Sequence, residues 1–293
     1  MSDLDFQALR DTRAKNPSAV AGALKNRQRR DLLGVDGKLM IVAADHPARA
    51  ALGIGSEAMA MANREDLLQR LATALAYPGV DGVLATPDII DDLALLGLLE
   101  NKIVVGSMNR GGLRGASFEM DDRFGAYSIE SLVAAGLDFA KTLTRINFQD
   151  AGTAETLMAT ANAVNDAAAA GVPIMIEPFI SDRIEGKIEN ILTPEAVIQS
   201  ISIVAALGGS SAYTWLKIPY VAEMARVMES TTLPTLILGG DRAGDMESLF
   251  EEWASALTLP GVRGLVVGRS LLYPASGNTG DAIARAVEIV HGG

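Results

Sequence analysis

KLMIVAADHP, residues 38–47, is the stretch from which the fold can be read. A short, unbroken apolar run follows the turn-like GVDGK of residues 34–38 and is closed by Asp45-His46-Pro47. Such a run is the mark of a strand buried on both faces, as in a parallel sheet covered by helices. Outward from it the chain alternates. Helical residues 64–76 lead to a second strand at 82–85, helical 89–99 to a third at 102–106, and helical 128–135 to a fourth at 137–145. An alanine-rich helix at 154–170 precedes a fifth strand at 172–177, and Thr193-Pro194-Glu195 starts a helix that runs to about residue 207, with threonine as cap and proline in the first turn. The sixth strand lies within 211–220 and the seventh at 234–240. The eighth is 264–268, and helices 222–229, 245–256 and 280–290 complete the alternation.

Eight strands alternating with eight helices fit a closed (β/α)8 TIM barrel, an α/β fold that often fills about 250 residues as one unit. A doubly wound sheet would show a glycine-rich fingerprint directly after the first strand. The nearest pattern, GIGSEA at 53–58, comes too late. Residues 1–37 read as an N-terminal helical extension, broken near Asn16-Pro17, and 38–293 as the barrel that carries catalysis. The long loop 107–127 is expected to be functional.

Composition removes several function classes. Hydrophobic residues make up 49% and charged residues 21%, and no apolar run reaches the roughly 18 residues of a membrane span. The amino terminus is polar and mixed in charge, unlike a secretory signal, and there is no cysteine; both fit a cytoplasmic protein. A net charge of -11 speaks against a general nucleic-acid binder. His46 and His291 are too few for a zinc site, and His291 reads as part of a frayed tail; neither metal nor cofactor is expected. A serine hydrolase would have to rely on His46, without a G-x-S-x-G elbow.

Barrel enzymes work at the carboxyl ends of their strands. There the first strand ends in Asp45-His46, the fourth carries Lys141 and Arg145, and the fifth ends in Glu177. The sixth, SAYTWLKIPY at 211–220, holds Lys217 in an otherwise uncharged run. Each has a bland reading: a lysine can lay its stem along apolar surface with its head in water, and strand-end charges can simply be hydrated. Lysines on strands four and six can nevertheless share one interior layer, and a cationic neighbour plus desolvation would lower Lys217 from the usual value of about 10.4. Lys217 would then be a Schiff-base nucleophile, with Asp45 and Glu177 moving protons. Period-two alternation places Tyr213 and Trp215 on the face of Lys217, which crowds the interior. After the last two strands, Gly239, Gly240 and Asp241 together with Gly268 and Arg269 suggest a phosphate cup; the bland reading is two tight turns.

These motifs resemble the class I, Schiff-base aldolases, which include archaeal-type fructose-bisphosphate, tagatose-bisphosphate and deoxyribose-phosphate enzymes. AADHP (43–47) is similar to their first-strand motif, GLDFAKTLTRI (136–146) to the fourth strand, and VPIMIEP (172–178) to the glutamate strand. TWLKIPY (214–220) resembles the lysine strand, and LILGGD (236–241) with GLVVGRSLLYP (264–274) the phosphate-binding strands. FEMDDRFGAY (118–127) resembles a bacterial branch associated with inositol breakdown.

The resemblance implies a metal-independent lyase that splits a keto-sugar phosphate or keto-sugar-acid phosphate, such as 6-phospho-5-dehydro-2-deoxygluconate, into dihydroxyacetone phosphate and a small aldehyde. By the same implication Lys217 forms the Schiff base and Asp45 and Glu177 transfer protons. Lys141 tunes the nucleophile or binds substrate, His46 contacts substrate, and Arg145 and Arg110 meet the acid's carboxylate. Thr144-Arg145 departs from relatives that carry tyrosines there. Such barrels commonly associate, so a homo-oligomer is expected. The alternatives are a phosphosugar isomerase or epimerase using Glu177 and Asp45 as an acid-base pair, and a non-catalytic barrel that binds sugar phosphates.

Overall fold

A computed structural model describes residues 4–109, 111–240 and 246–292. The N-terminal extension is two helices, α1 (Phe6–Lys15) and α2 (Ser18–Asn26), separated where Pro17 follows Asn16. Asp5 caps the first by accepting from the Ala8 N–H at 2.8 Å. Just beyond α2, the buried Arg27 guanidinium donates to the Lys102 and Gly136 carbonyls and to Asp138 at 2.6–3.0 Å, which ties the extension to the amino-terminal end of the barrel.

The barrel begins with β1 (Leu39–Ala43), α3 (Arg64–Ala76), β2 (Gly82–Ala85), α4 (Pro87–Leu95), β3 (Ile103–Ser107) and α5 (Ile129–Ala134). It continues through β4 (Phe139–Ile146), α6 (Gly152–Ala170), β5 (Ile174–Ile184) and β6 (Lys187–Asn190) to α7 (Pro194–Ala205), β7 (Thr214–Ile218), α8 (Met224–Met228) and β8 (Thr235–Leu238). Last come α9 (Met246–Leu257), β9 (Val262–Val267), a short α10 (Arg269–Leu272) and α11 (Thr279–His291). Parallel pairing runs β1, β2, β3, β4, β5, β7, β8, β9 and back to β1, so the sheet closes as a (β/α)8 barrel. No helix among the described residues is long and apolar enough to cross a membrane.

One element departs from the sequence reading. The fifth strand does not stop at Glu177 but extends to Ile184, turns through Glu185 and Gly186, both with positive φ, and returns as β6 in antiparallel register, Ser181 facing Asn190. A positive-φ pair ending in glycine is the hairpin turn that matches strand twist, and Glu185-Gly186 between two polar-apolar segments was its signal.

Alternation along each strand sorts side chains into an outer shell under the helices and an inner plug. The plug includes Leu39, Ile41, Ile103, Phe139, Met175, Trp215 and Leu236. Phe139 and Trp215 meet edge to face at 5.4 Å. The crowding expected around Lys217 does not arise. Two residues of strand rise about 7 Å, so Trp215 fills the layer beneath Lys217, while Tyr213, 38% exposed, stands at the strand's entrance.

At the amino-terminal end, His291 closes α11 onto the barrel, against the expectation of a frayed tail. Its Nδ1 lies 2.5 Å from Asp36 and its Nε2 3.1 Å from Asp81, which also accepts from Arg30 and from the Met40 N–H. The hydrogen bond to Asp81, then that to Asp36, outweigh burial and raise His291 to about 9. Both aspartates are held below their ordinary value, so they stay ionised through the neutral range. A raised histidine stabilises fully below its unfolded value of about 6.5 and loses that contribution as pH climbs through 9. Thermal denaturation should therefore show the native protein losing about 2 °C more than His291→Gln between pH 6.5 and 9.5, once solvent screening has reduced the effect to about 1 kcal/mol. Parallel curves would refute the assignment.

Candidate active site

Four ionisable side chains from four strands meet at the carboxyl end of the barrel. Lys141 from β4 donates to Asp45, just past β1, at 2.9 Å and to Glu177 of β5 at 2.6 Å. Lys217 from β7 donates to the other oxygen of Glu177 at 2.7 Å. The Ser107 hydroxyl lies 3.4 Å from Asp45. Asp45, Lys141, Glu177 and Lys217 thus form a chain of alternating charge, every member buried. A buried charge without a partner is costly, and here each has one.

The two lysines are not equivalent. Burial presses both toward the neutral amine. Lys141, bracketed by two carboxylates, is carried above its ordinary value all the same. Lys217 has the single carboxylate Glu177, and burial with the nearby Lys141 charge leaves it below its ordinary value. Burial alone would raise Glu177, but Lys141 and Lys217 outweigh it and hold it at about 2. Asp45 is likewise held well below the carboxylate range, burial being overcome by Lys141 first and then His46. His46 is kept neutral, near 3, by burial, which exceeds the pull of Asp45.

A cavity of about 380 Å³ opens above this chain, with Lys217, Glu177 and His46 on its surface. Lys141 and Asp45 do not line it, although Asp45 and Glu177 are buried to a similar degree. Gly239, Gly240, Gly268 and Arg269 line the cavity too. A side chain on Gly268 would run into the Ala43 carbonyl and the His46 ring, and one on Gly239 into Val267. Gly240 has a φ of +68°. Close packing of strand ends demands the first two glycines, and backbone conformation the third. Asp241 and Arg110 lie outside the described residues.

Arg145 also borders the cavity, but its guanidinium is committed. It grips Asp122 through Nε at 2.9 Å and Nη2 at 2.6 Å, and donates to the Glu119 carbonyl. Its backbone N–H donates to Asp122 as well, at 2.9 Å. The Asn109 amide pairs with the N–H and C=O of Leu143 like a further strand residue, at 3.0 and 2.7 Å. The residue assigned from sequence to a substrate carboxylate therefore anchors the loop after β3 to β4. Several cavity residues escaped the sequence reading: Arg49, on the single 3-10 turn His46–Arg49 after β1, Arg114 on the loop after β3, and Tyr220 after β7. Ser270, whose buried hydroxyl has no hydrogen-bond partner among the described residues, lies beside Gly239 without lining the cavity. Arg49 was legible as the next charge after Asp45-His46.

The profile of the Cgl0159-like family matches residues 37–287. The protein belongs to that family. Cgl0159-like kinship is equally plain in three dimensions: the crystal structure of Cgl0159 from Corynebacterium glutamicum shares 62% identity over 100% of this chain and 98% of that one, with a TM-score of 0.97. An archaeal fructose 1,6-bisphosphate aldolase superposes at 0.66 with 19% identity, covering 94% of this chain and 100% of its own. Another, with its catalytic lysine covalently bound to the carbinolamine intermediate, superposes at 0.66 with 19% identity over 92% and 99%. At such identity the likeness concerns the fold. No curated protein sequence matches the chain.

Proposed function

We propose that this protein is a metal-independent class I aldolase, cleaving a keto-sugar phosphate or keto-sugar-acid phosphate such as 6-phospho-5-dehydro-2-deoxygluconate through a Schiff base on Lys217. The observation that carries this reading is the asymmetry of the two buried lysines. Lys217 has one carboxylate, a lowered pKa and access to the cavity; Lys141 has two carboxylates, a raised pKa and no access. That is the division between a nucleophile and a fixed cation that keeps its neighbour's proton loose.

The steps follow from the contacts. Lys217 passes a proton to Glu177, and its free amine adds to the substrate ketone, giving a carbinolamine. Glu177 returns the proton to the departing hydroxyl, so water leaves and an iminium remains. Loss of the proton from the hydroxyl on the carbon beyond the scissile bond then breaks that carbon-carbon bond. Its electrons flow to the iminium, releasing the aldehyde and leaving an enamine. Protonation and hydrolysis free the second product and restore Lys217. Neutral His46, on the cavity surface, is placed to take up the hydroxyl proton. Asp45, outside the cavity lining, holds Lys141 in place. The glycines after β8 and β9, with Arg269, would receive the phosphate. An isomerase using Glu177 and Asp45 as its pair is less well supported, because Asp45 does not line the cavity.

Borohydride added with dihydroxyacetone phosphate should reduce the Schiff base to a stable adduct. Peptide mass spectrometry should place that adduct on Lys217. No adduct, or one on another lysine, would sink the proposal.

A further inference from the structure

The cavity is lined by Arg49, Arg114, Arg145, Lys217 and Arg269 against three glutamates, in a chain whose net charge is -11. Such a local excess of positive charge draws anions. Most of these cations are already engaged: Lys217 by Glu177, Arg145 by Asp122, and Arg269 at least by the Gly53 carbonyl at 3.4 Å. Arg49 and Arg114 differ. Among the described residues no carboxylate lies within ion-pair distance of either, and the Arg49 Nε is buried with no acceptor. Buried guanidinium nitrogens are ordinarily satisfied, so the Arg49 Nε, on a residue that lines the cavity, is open to an acceptor brought into it.

The backbone holds the two arginines together. The Arg114 N–H donates to the Arg49 carbonyl at 2.9 Å. Ala50, which ends the turn carrying Arg49, is held at a φ of +59°, a strained conformation for alanine. Gly111, at +61°, lies against the Arg49 stem: a side chain there would come within 3.1 Å of its Cδ and 2.8 Å of Asp122. The stem of Arg49 is thus directed toward the loop after β3. Around the barrel, β3 stands opposite β8, the strand followed by Gly239 and Gly240. Lys217 opens into the same cavity from β7.

We propose that Arg49 and Arg114 form a second oxyanion site facing the glycine cup, so that the substrate carries two anionic groups, one on each side of the carbon attacked by Lys217. A guanidinium fork matches a carboxylate or a phosphate through paired hydrogen bonds, and this is the ligand chemistry shared by sugar acid phosphates and sugar bisphosphates. The inference deepens the aldolase reading and rests on it for the position of the reacting carbon.

Calorimetric binding to the full chain tests it with three probes. Gluconate 6-phosphate carries a carboxylate and a phosphate, fructose 1,6-bisphosphate carries two phosphates, and glucitol 6-phosphate carries one phosphate alone. The native protein should bind at least one doubly anionic probe about 10- to 100-fold more tightly than glucitol 6-phosphate. Which of the two is preferred tells carboxylate from phosphate. Arg49→Gln with Arg114→Gln should bring the three affinities within about threefold of one another, and Arg49→Lys, which keeps the charge but loses the fork, should fall between. Equal affinities in the native protein, or an unchanged preference in a folded double variant, would overturn the second site. Because these readouts need no covalent chemistry, failure of borohydride trapping alone would sink the aldolase reading while leaving the anion preference measurable.

Discussion

Lys217→Met is expected to abolish carbon-carbon cleavage, by about 10^4-fold or more, while leaving the protein folded and close to native stability. Removing a covalent nucleophile typically costs that much, because no neighbouring group can take its place in the bond-forming step. Lys141 cannot substitute, since it lies off the cavity and its proton is held by two carboxylates. Stability survives because Glu177 keeps its 2.6 Å contact with Lys141, so no buried charge is left alone, and methionine fills nearly the same volume as the lysine stem. Turnover of a keto-sugar phosphate, read beside a thermal melt, checks both halves. Residual activity above about one part in a thousand would remove Lys217 from the mechanism.

Lys141→Met should show the opposite pattern, with stability failing first. It strips Asp45 of its amino partner and leaves Glu177 with Lys217 alone, in a site where both carboxylates are buried. Breaking a buried pair from one side costs about 3–5 kcal/mol, or on the order of 10 °C for a domain of this size. The catalytic consequence follows from the same charges. Without the Lys141 cation, Lys217 loses a neighbour that lowers its pKa, and the surviving folded protein should need a more alkaline pH for adduct formation. A melt and a pH profile of borohydride trapping measure the two effects. A variant as stable as the native chain, with an unshifted profile, would show that Lys141 is packing and no more.

These contrasts also mark what the sequence made legible. A charged residue inside a short apolar strand stands out, which is why Lys141, Glu177 and Lys217 can be singled out from sequence and why their shared end of the barrel follows from strand order. Their ranking was not legible. Whether Asp45 or Glu177 faces the cavity depends on Lys141 reaching both, which only the closed barrel determines. Nothing local to Arg145 shows that Asp122, 23 residues earlier, folds back onto it. His291 was read as frayed because its partners Asp36 and Asp81 lie 255 and 210 residues away. Long-range ion pairs leave no periodicity in a single sequence, whereas apolar strands do. Glu185-Gly186 is a different case: the turn signal is present, but the apolar run that marks the fifth strand ends at Glu177.

The edge-to-face pair of Phe139 and Trp215 carries one more consequence. Together with Met175, Leu236 and Val266 they form an apolar floor beneath the two amines. On the aldolase reading proposed above, a proton leaving Lys217 would meet these apolar side chains below it and would travel up through the mouth that admits the substrate. A bound sugar would then cork that exit. Until product departs, the protons of the proposed reaction would circulate among Lys217, Glu177 and the hydroxyl groups of the sugar, and the clearing of the mouth would reset the site.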